Sequence, residues 1–176
     1  LLAATRLHPS SPEAFNDLGV TLTAAGKLDA AYQSLQRALT LAPQHVMAMT
    51  NLGEALIKGR RHDLAASVFD RALAIQPDLA HAHLGRANAL RELGLLEEAE
   101  ASYRQALALR PHNPLAEMGL GVCLLEQGRA EEALVHYQAA QTLERNDLAT
   151  LPNMMFARQY LADPKPLEWI HEARAF

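Results

Sequence analysis

A single cysteine in 176 residues excludes an internal disulfide, and nothing in the chain calls for an oxidising compartment, so a cytoplasmic setting is expected. Basic excess is also missing: 16 lysines and arginines face 20 acidic residues, for a net charge of -4. A nucleic-acid partner is therefore not expected, because neutralising phosphates requires a cationic surplus. No apolar run approaches the roughly 20 residues that a membrane-spanning helix needs, so no membrane partner is expected either. A Gly-rich phosphate loop, a GxSxG nucleophile elbow and a metal-spaced set of Cys and His are all lacking, and no cofactor or metal is expected. The chain opens on "LLAATRLHP" without methionine and reads as a piece of a longer protein, with any targeting signal outside it.

What the chain does have is a beat. Pro9, Pro43, Pro77 and Pro111 recur every 34 residues. Alanine keeps that interval twice, at Ala31, Ala65, Ala99 and Ala133, and at Ala38, Ala72, Ala106 and Ala140. A small residue keeps it at Gly19, Gly53, Ala87 and Gly121, and a bulky one at Leu35, Phe69, Tyr103 and Tyr137. Small residues at fixed places are expected where helices approach closely, with the bulky ones filling the space between them.

Each unit divides into two helical halves. The first halves run from Ala14 to Ala25, Ala48 to Gly59, Ala82 to Leu93 and Ala116 to Gln127, and each meets a turn containing Gly26, Gly59, Gly94 or Gly128. Glycine just past a helix end adopts the left-handed conformation at least cost. The second halves stop before proline, which lacks the N–H that the next turn needs. Ser11-Pro12 and Asn113-Pro114 combine an N-capping side chain with proline at the first helical position.

This pattern, with Leu18-Gly19, Leu22, Gly26, Ala31, Leu35, Ala38 and Pro43 repeated from Pro12, Val46, Ala80 and Pro114, resembles the tetratricopeptide repeat. The resemblance implies an all-α fold, a right-handed solenoid of stacked antiparallel helix pairs. It implies the end of a truncated repeat at 1–11, four repeats at 12–45, 46–79, 80–113 and 114–147, and C-terminal helices at 148–176 capping the array. Three departures stand out: Arg86 replaces leucine, Ala87 replaces glycine, and Arg145 replaces the closing proline.

Against that register the chemically suggestive residues become structural. Cys123 shares its slot with Thr21, Ala55 and Ala89 and is expected to be a small packing residue. A catalytic pairing of Cys123 with His136 is conceivable but has no further support. Glu131 and Glu132 open a helix, where carboxylates complement the dipole. His81 and His83 are two apart on a helix and point to different faces, which suits no metal. His45 and His112 fall in loops. The segment is not expected to be an enzyme by itself.

Stacked helix pairs offer surface instead, and the resemblance places the first helix of each unit on the concave side. The inward positions are then Asn16, Asp17 and Val20; Thr50, Asn51 and Glu54; Leu84, Asn88 and Arg91; Met118, Val122 and Leu125. That face is polar early and more apolar late, and it is expected to bind a protein or an extended peptide. Family members that clamp a C-terminal carboxylate use inward basic residues; here those positions read Asn16, Val20, Asn51, His81 and Gly85, so that clamp is not expected. Members that hold a peptide backbone stack inward asparagines. Asn51 and Asn153 fit that ladder, Asp17 is a near match, and Gly85 and Gly119 do not fit.

The tail from Asn153 through Met154, Met155, Phe156, Ala157 and Tyr160 to Asp163, Pro164, His171, Arg174 and Phe176 resembles the junction in SPINDLY-type proteins, relatives of O-linked N-acetylglucosamine transferase. That resemblance implies a substrate-recognition arm of a larger glycosyltransferase; the alternative is a free-standing adaptor with unrelated partners. A helix from Leu167 to Phe176 is expected to cap the array against Met154 and Tyr160, leaving part of Trp169 or Phe176 for another surface. Self-association through exposed solenoid ends is a further expectation.

Overall fold

The computed structural model describes residues 10–143 and 150–159. Most of the truncated first repeat, the exit at Arg145 and the helix expected at 167–176 lie outside the described residues. Among the described residues there are nine helices and no strand: α1 (Pro12–Ala24), α2 (Leu28–Leu41), α3 (Val46–Lys58), α4 (His62–Ile75), α5 (Ala80–Glu92), α6 (Leu96–Leu109), α7 (Pro114–Glu126), α8 (Ala130–Leu143) and α9 (Thr150–Gln159). They fall into two compact units that divide between Gly94 and Leu95, inside the third expected repeat.

The helix ends follow from local chemistry. Ser11 Oγ accepts from the Ala14 amide at 3.2 Å, and Asn113 Oδ1 accepts from Leu115 and Ala116 at 3.2 and 3.3 Å. These bonds satisfy amides that have no partner within the first turn. His45, expected in a loop, is also a cap: its Nδ1 accepts from the Ala48 amide at 3.2 Å. Gly26, Gly94 and Gly128 have φ of 71°, 76° and 79°, as expected of the turn that follows a first helix. The second turn departs from expectation. Gly59 ends α3 at φ -81°, and Arg60 takes the left-handed place at φ 57°. Arg60, not Gly59, is the residue 34 after Gly26.

In the first unit α1 pairs with α2 and α3 with α4; α2 then packs on α3 and α4 on α5, so first helices α1, α3 and α5 lie side by side. Ala31, Ala38, Ala65 and Ala72 are fully buried, with Leu35 and Phe69. Phe69 is gripped from two sides. A Cβ added to Gly53 would lie 2.5 Å from its Cζ, and one added to Gly85 would lie 2.3 Å from it. Only glycine lets α3 and α5 approach the ring this closely, and burying that ring contributes about 2–3 kcal/mol. Arg86, the departure from leucine, bonds Asp70 of α4 through Nε at 2.5 Å, which satisfies a charge at a half-buried position.

In the second unit α6 packs on α7, α7 pairs with α8, and α9 packs on α8 and touches α7. Ala99, Ala106, Ala133 and Ala140 are fully buried, as are Tyr103 and Tyr137. The ring-to-glycine contact recurs: a Cβ on Gly119 would lie 2.4 Å from Tyr103 Cε1, and one on Gly121 would lie 2.6 Å from Tyr137 Cε1. The absence of asparagine at Gly85 and Gly119 thereby acquires a cause. Those inward-register positions face an aromatic ring, and any side chain would collide with it.

Candidate functional site

In the first unit, the face made by α1, α3 and α5 carries polar side chains that bind one another. Asn51 Nδ2 donates to Asn16 Oδ1 at 2.8 Å across the two helices. Asp17 is exposed beside them, its Oδ1 3.4 Å from Asn16 Nδ2. Glu54 is ion-paired to His81, and the hydrogen bond from that ring, set against burial, holds the Glu54 carboxyl below its ordinary range. Arg91 is ion-paired to its neighbour Glu92, and Asn88 is half-buried. Val20 is exposed.

Two residues expected on this face are corrections. Thr50 is 1% exposed, and its hydroxyl donates to the Met47 carbonyl at 2.9 Å, within its own helix. Leu84 is buried at 7%. Positions 50 and 84 share a register with the half-buried Asn16 and Met118, but at 50 and 84 the side chain is turned into the packing between helices. Neither side chain can meet a ligand.

In the second unit the corresponding face is open and apolar. Val122 and Leu125 of α7, Tyr137 of α8, and Asn153 and Phe156 of α9 line a cavity of about 460 Å³. Phe156 is half exposed, and Glu126 lies at the rim. Met118, expected with Val122, is half-buried and does not line it. Phe156 was missed at the level of sequence, yet the signal is there: it continues the 34-residue series Val20, Glu54, Asn88 and Val122. Such a cavity can take an apolar side chain, and the Asn153 amide beside it can both donate to and accept from a backbone.

The residues that suggested catalysis are arranged otherwise. Cys123 is fully buried, with Sγ donating to the Leu96 carbonyl at 3.3 Å. His136 Nδ1 meets Glu117 Oε2 at 2.7 Å rather than the thiol. His83 Nε2 lies 2.8 Å from the Pro77 carbonyl while His81 turns to Glu54, so the two rings do point apart. Among the described residues no group of three or more His, Cys, Asp or Glu is placed to hold a metal ion. No described helix is long and apolar enough to cross a membrane.

The tetratricopeptide repeat family model matches residues 1–46, 24–80 and 84–147. No curated protein sequence matches the chain. Among solved structures it is similar to TTC0263, a thermophilic TPR protein of Thermus thermophilus, with 28% identity over 88% of this chain and 85% of that one and a TM-score of 0.76. It is also similar in fold to MamA, with 16% identity, coverage of 93% and 90%, and a TM-score of 0.83. A third is YrrB, described as a TPR protein with an unusual peptide-binding site, with 18% identity, coverage of 99% and 90%, and a TM-score of 0.77. With helix pairs, glycine-to-ring contacts and a repeat model spanning most of the sequence in agreement, the chain belongs to the tetratricopeptide repeat family.

Proposed function

We propose that this chain is a protein-interaction scaffold that binds an extended peptide segment on the faces of its first helices. The cavity lined by Val122, Leu125, Tyr137, Asn153 and Phe156 carries this reading, because it joins an apolar recess to a backbone-binding amide. A peptide-binding site described for YrrB, a protein of the same fold, supports it. The polar face of the first unit is a second candidate surface by itself: Asn51 uses one N–H on Asn16 and keeps its other donor and its acceptor for a backbone.

The partner class is protein, not nucleic acid or membrane, and the setting is cytoplasmic. A finer reading, that the scaffold is the substrate-recognition arm of a larger SPINDLY-type glycosyltransferase, rests on the sequence resemblance from Asn153 to Phe176. The gene downstream of Phe176 discriminates: a nucleotide-sugar-binding domain there supports the arm, and a stop codon supports a free-standing adaptor.

Selection of a random peptide library on the immobilised chain tests the binding itself. Enriched peptides are expected to carry an aromatic or long aliphatic anchor. Val122→Asp should weaken them about tenfold or more, since it puts a charge in an apolar recess. For enriched peptides that bind the first-unit face, the double change Asn51→Ala and Asn88→Ala should weaken binding while leaving helical content unchanged. Binding that survives all three changes but fails on substitution of the second-helix residues Arg37 and Gln105 would overturn the proposal.

A further inference from the structure

The two units treat one slot differently, and the difference exposes a site away from the first-helix faces. In the second unit, the turn between α7 and α8 packs against the start of α6 through the carboxamide of Gln127. Its Nε2 donates to Glu100 Oε2 at 3.0 Å and lies 3.4 Å from the Leu96 carbonyl, while its Oε1 accepts from Arg129 Nη1 at 3.2 Å. Cys123 Sγ also points to that carbonyl.

The residues 68 earlier make the equivalent slot in the first unit: Leu28 for Leu96, Arg61 for Arg129, Ala55 for Cys123 and Gly59 for Gln127. The carbonyl-bearing helix start and the guanidinium are kept, and the carboxamide is deleted. What remains is a cavity of about 300 Å³ lined by Leu28, Asp29, Tyr32, Ala55, Gly59 and Arg61. Arg61 lies over the Tyr32 ring, 5.2 Å from its centroid, and the Tyr32 hydroxyl is bonded by Gln36 Nε2 at 2.6 Å, so the aromatic wall is held in place. Tyr32 stands where the second unit has Glu100, and Asp29, the counterpart of Glu97, also lines the cavity and brings a carboxylate to it.

We infer that this cavity binds the carboxamide side chain of a partner protein, a glutamine in first preference, in the role that Gln127 plays within the chain. The chemistry selects a neutral group that both donates and accepts. An anion would meet Asp29, a cation would meet Arg61, and an alkyl chain would leave both desolvated without a partner. A carboxamide gives its N–H to Asp29 and takes a bond from Arg61, with its plane against Tyr32. The site is independent of the peptide-binding proposal, since it lies at the inter-helix turns and shares no residue with the first-helix cavity.

The test is a titration of the full chain with N-acetyl-glutamine N-methylamide, followed by amide chemical shifts. Saturable shifts are expected at Gly26, Asp29 and Gly59, and none with the norleucine analogue. Gly59→Gln should abolish them by supplying the group internally; a Cβ there meets nothing closer than 3.4 Å, and φ is -81°, so the variant is accommodated. Asp29→Ala, an exposed change, should weaken binding about tenfold by removing a hydrogen bond to a charged acceptor. Absence of saturable shifts, equal shifts with norleucine, or full binding by both variants would overturn the inference.

Discussion

The first unit pairs several of its polar groups across neighbouring helices, whereas the second leaves an apolar recess open beside an amide. Asn16 with Asn51 and Glu54 with His81 turn the α1–α3–α5 face into a knit surface. Val122, Leu125 and Phe156 cannot do that, so the α7–α9 face offers apolar burial to a ligand instead. At the inter-helix turns the relation reverses: Gln127, Glu100 and Arg129 fill the slot of the second unit, and Gly59 leaves that of the first one vacant. Repeats of one backbone pattern thus differ in which slots are filled from within.

The comparison is most severely tested at the ring contacts that both units share. Gly85→Ala in the first unit and Gly119→Ala in the second should each cost about 2–3 kcal/mol, because the added Cβ would lie 2.3 and 2.4 Å from ring atoms that are themselves packed. Denaturant unfolding measures this. The cost at Gly85 should shrink in a Phe69→Leu background, since Leu35 is the natural counterpart where the inward residue is Asn51. Equal cost in both backgrounds would mean that the ring does not set the requirement for glycine.

Overpacking the buried alanines comes next. Ala72→Leu and Ala106→Leu, one in each unit, should lower stability by about 1–3 kcal/mol. Unchanged thermal midpoints would show that these positions are not close helix contacts.

Glu100 sharpens the contrast between filled and vacant slots. Burial pushes its carboxyl up, but hydrogen bonds from Arg104, Gln127 and Arg129 outweigh that and hold it below the usual range. A folded value below the unfolded one means that its stabilisation is present above the unfolded carboxylate pKa and is lost as pH falls through the folded value. Glu100→Gln should therefore lower stability at neutral pH by about 1–2 kcal/mol and flatten the acid limb of the stability curve below about pH 4. The equivalent position in the first unit, Tyr32, should contribute no such limb. An unaltered acid limb in Glu100→Gln would remove this carboxylate from the account.

The smallest effect is a gain. Arg60→Gly places glycine in the one left-handed turn position that lacks it, and should stabilise the chain by about 0.5–1 kcal/mol. Loss of stability on that change would show that the Arg60 side chain compensates for its backbone.

Much of this was legible in the sequence because a helix pair repeats its needs at fixed intervals. Alanine at the close contacts, a bulky partner opposite, proline after the second helix and glycine at the turn are each dictated by backbone geometry, so the 34-residue beat fixes the helices, their buried faces and the family. The beat also named Val122, Leu125 and Asn153. It misplaced Thr50 and Leu84, since a helix position near the edge of a face is turned in or out by the neighbouring helix, which periodicity does not contain. Phe156 was readable by register but was passed over at the end of the repeats. The pairings Asn16–Asn51, Glu54–His81 and Arg86–Asp70 join residues on different helices. So does the deletion of Gln127's counterpart at Gly59, which is an ordinary turn glycine until the slot it fails to fill is seen. Local sequence determines where each helix begins, ends and buries itself; which side chains then satisfy one another, and which leave room for a partner, is decided only when helices stack, because hydrogen bonds and cavities depend on atoms brought together from distant parts of the chain.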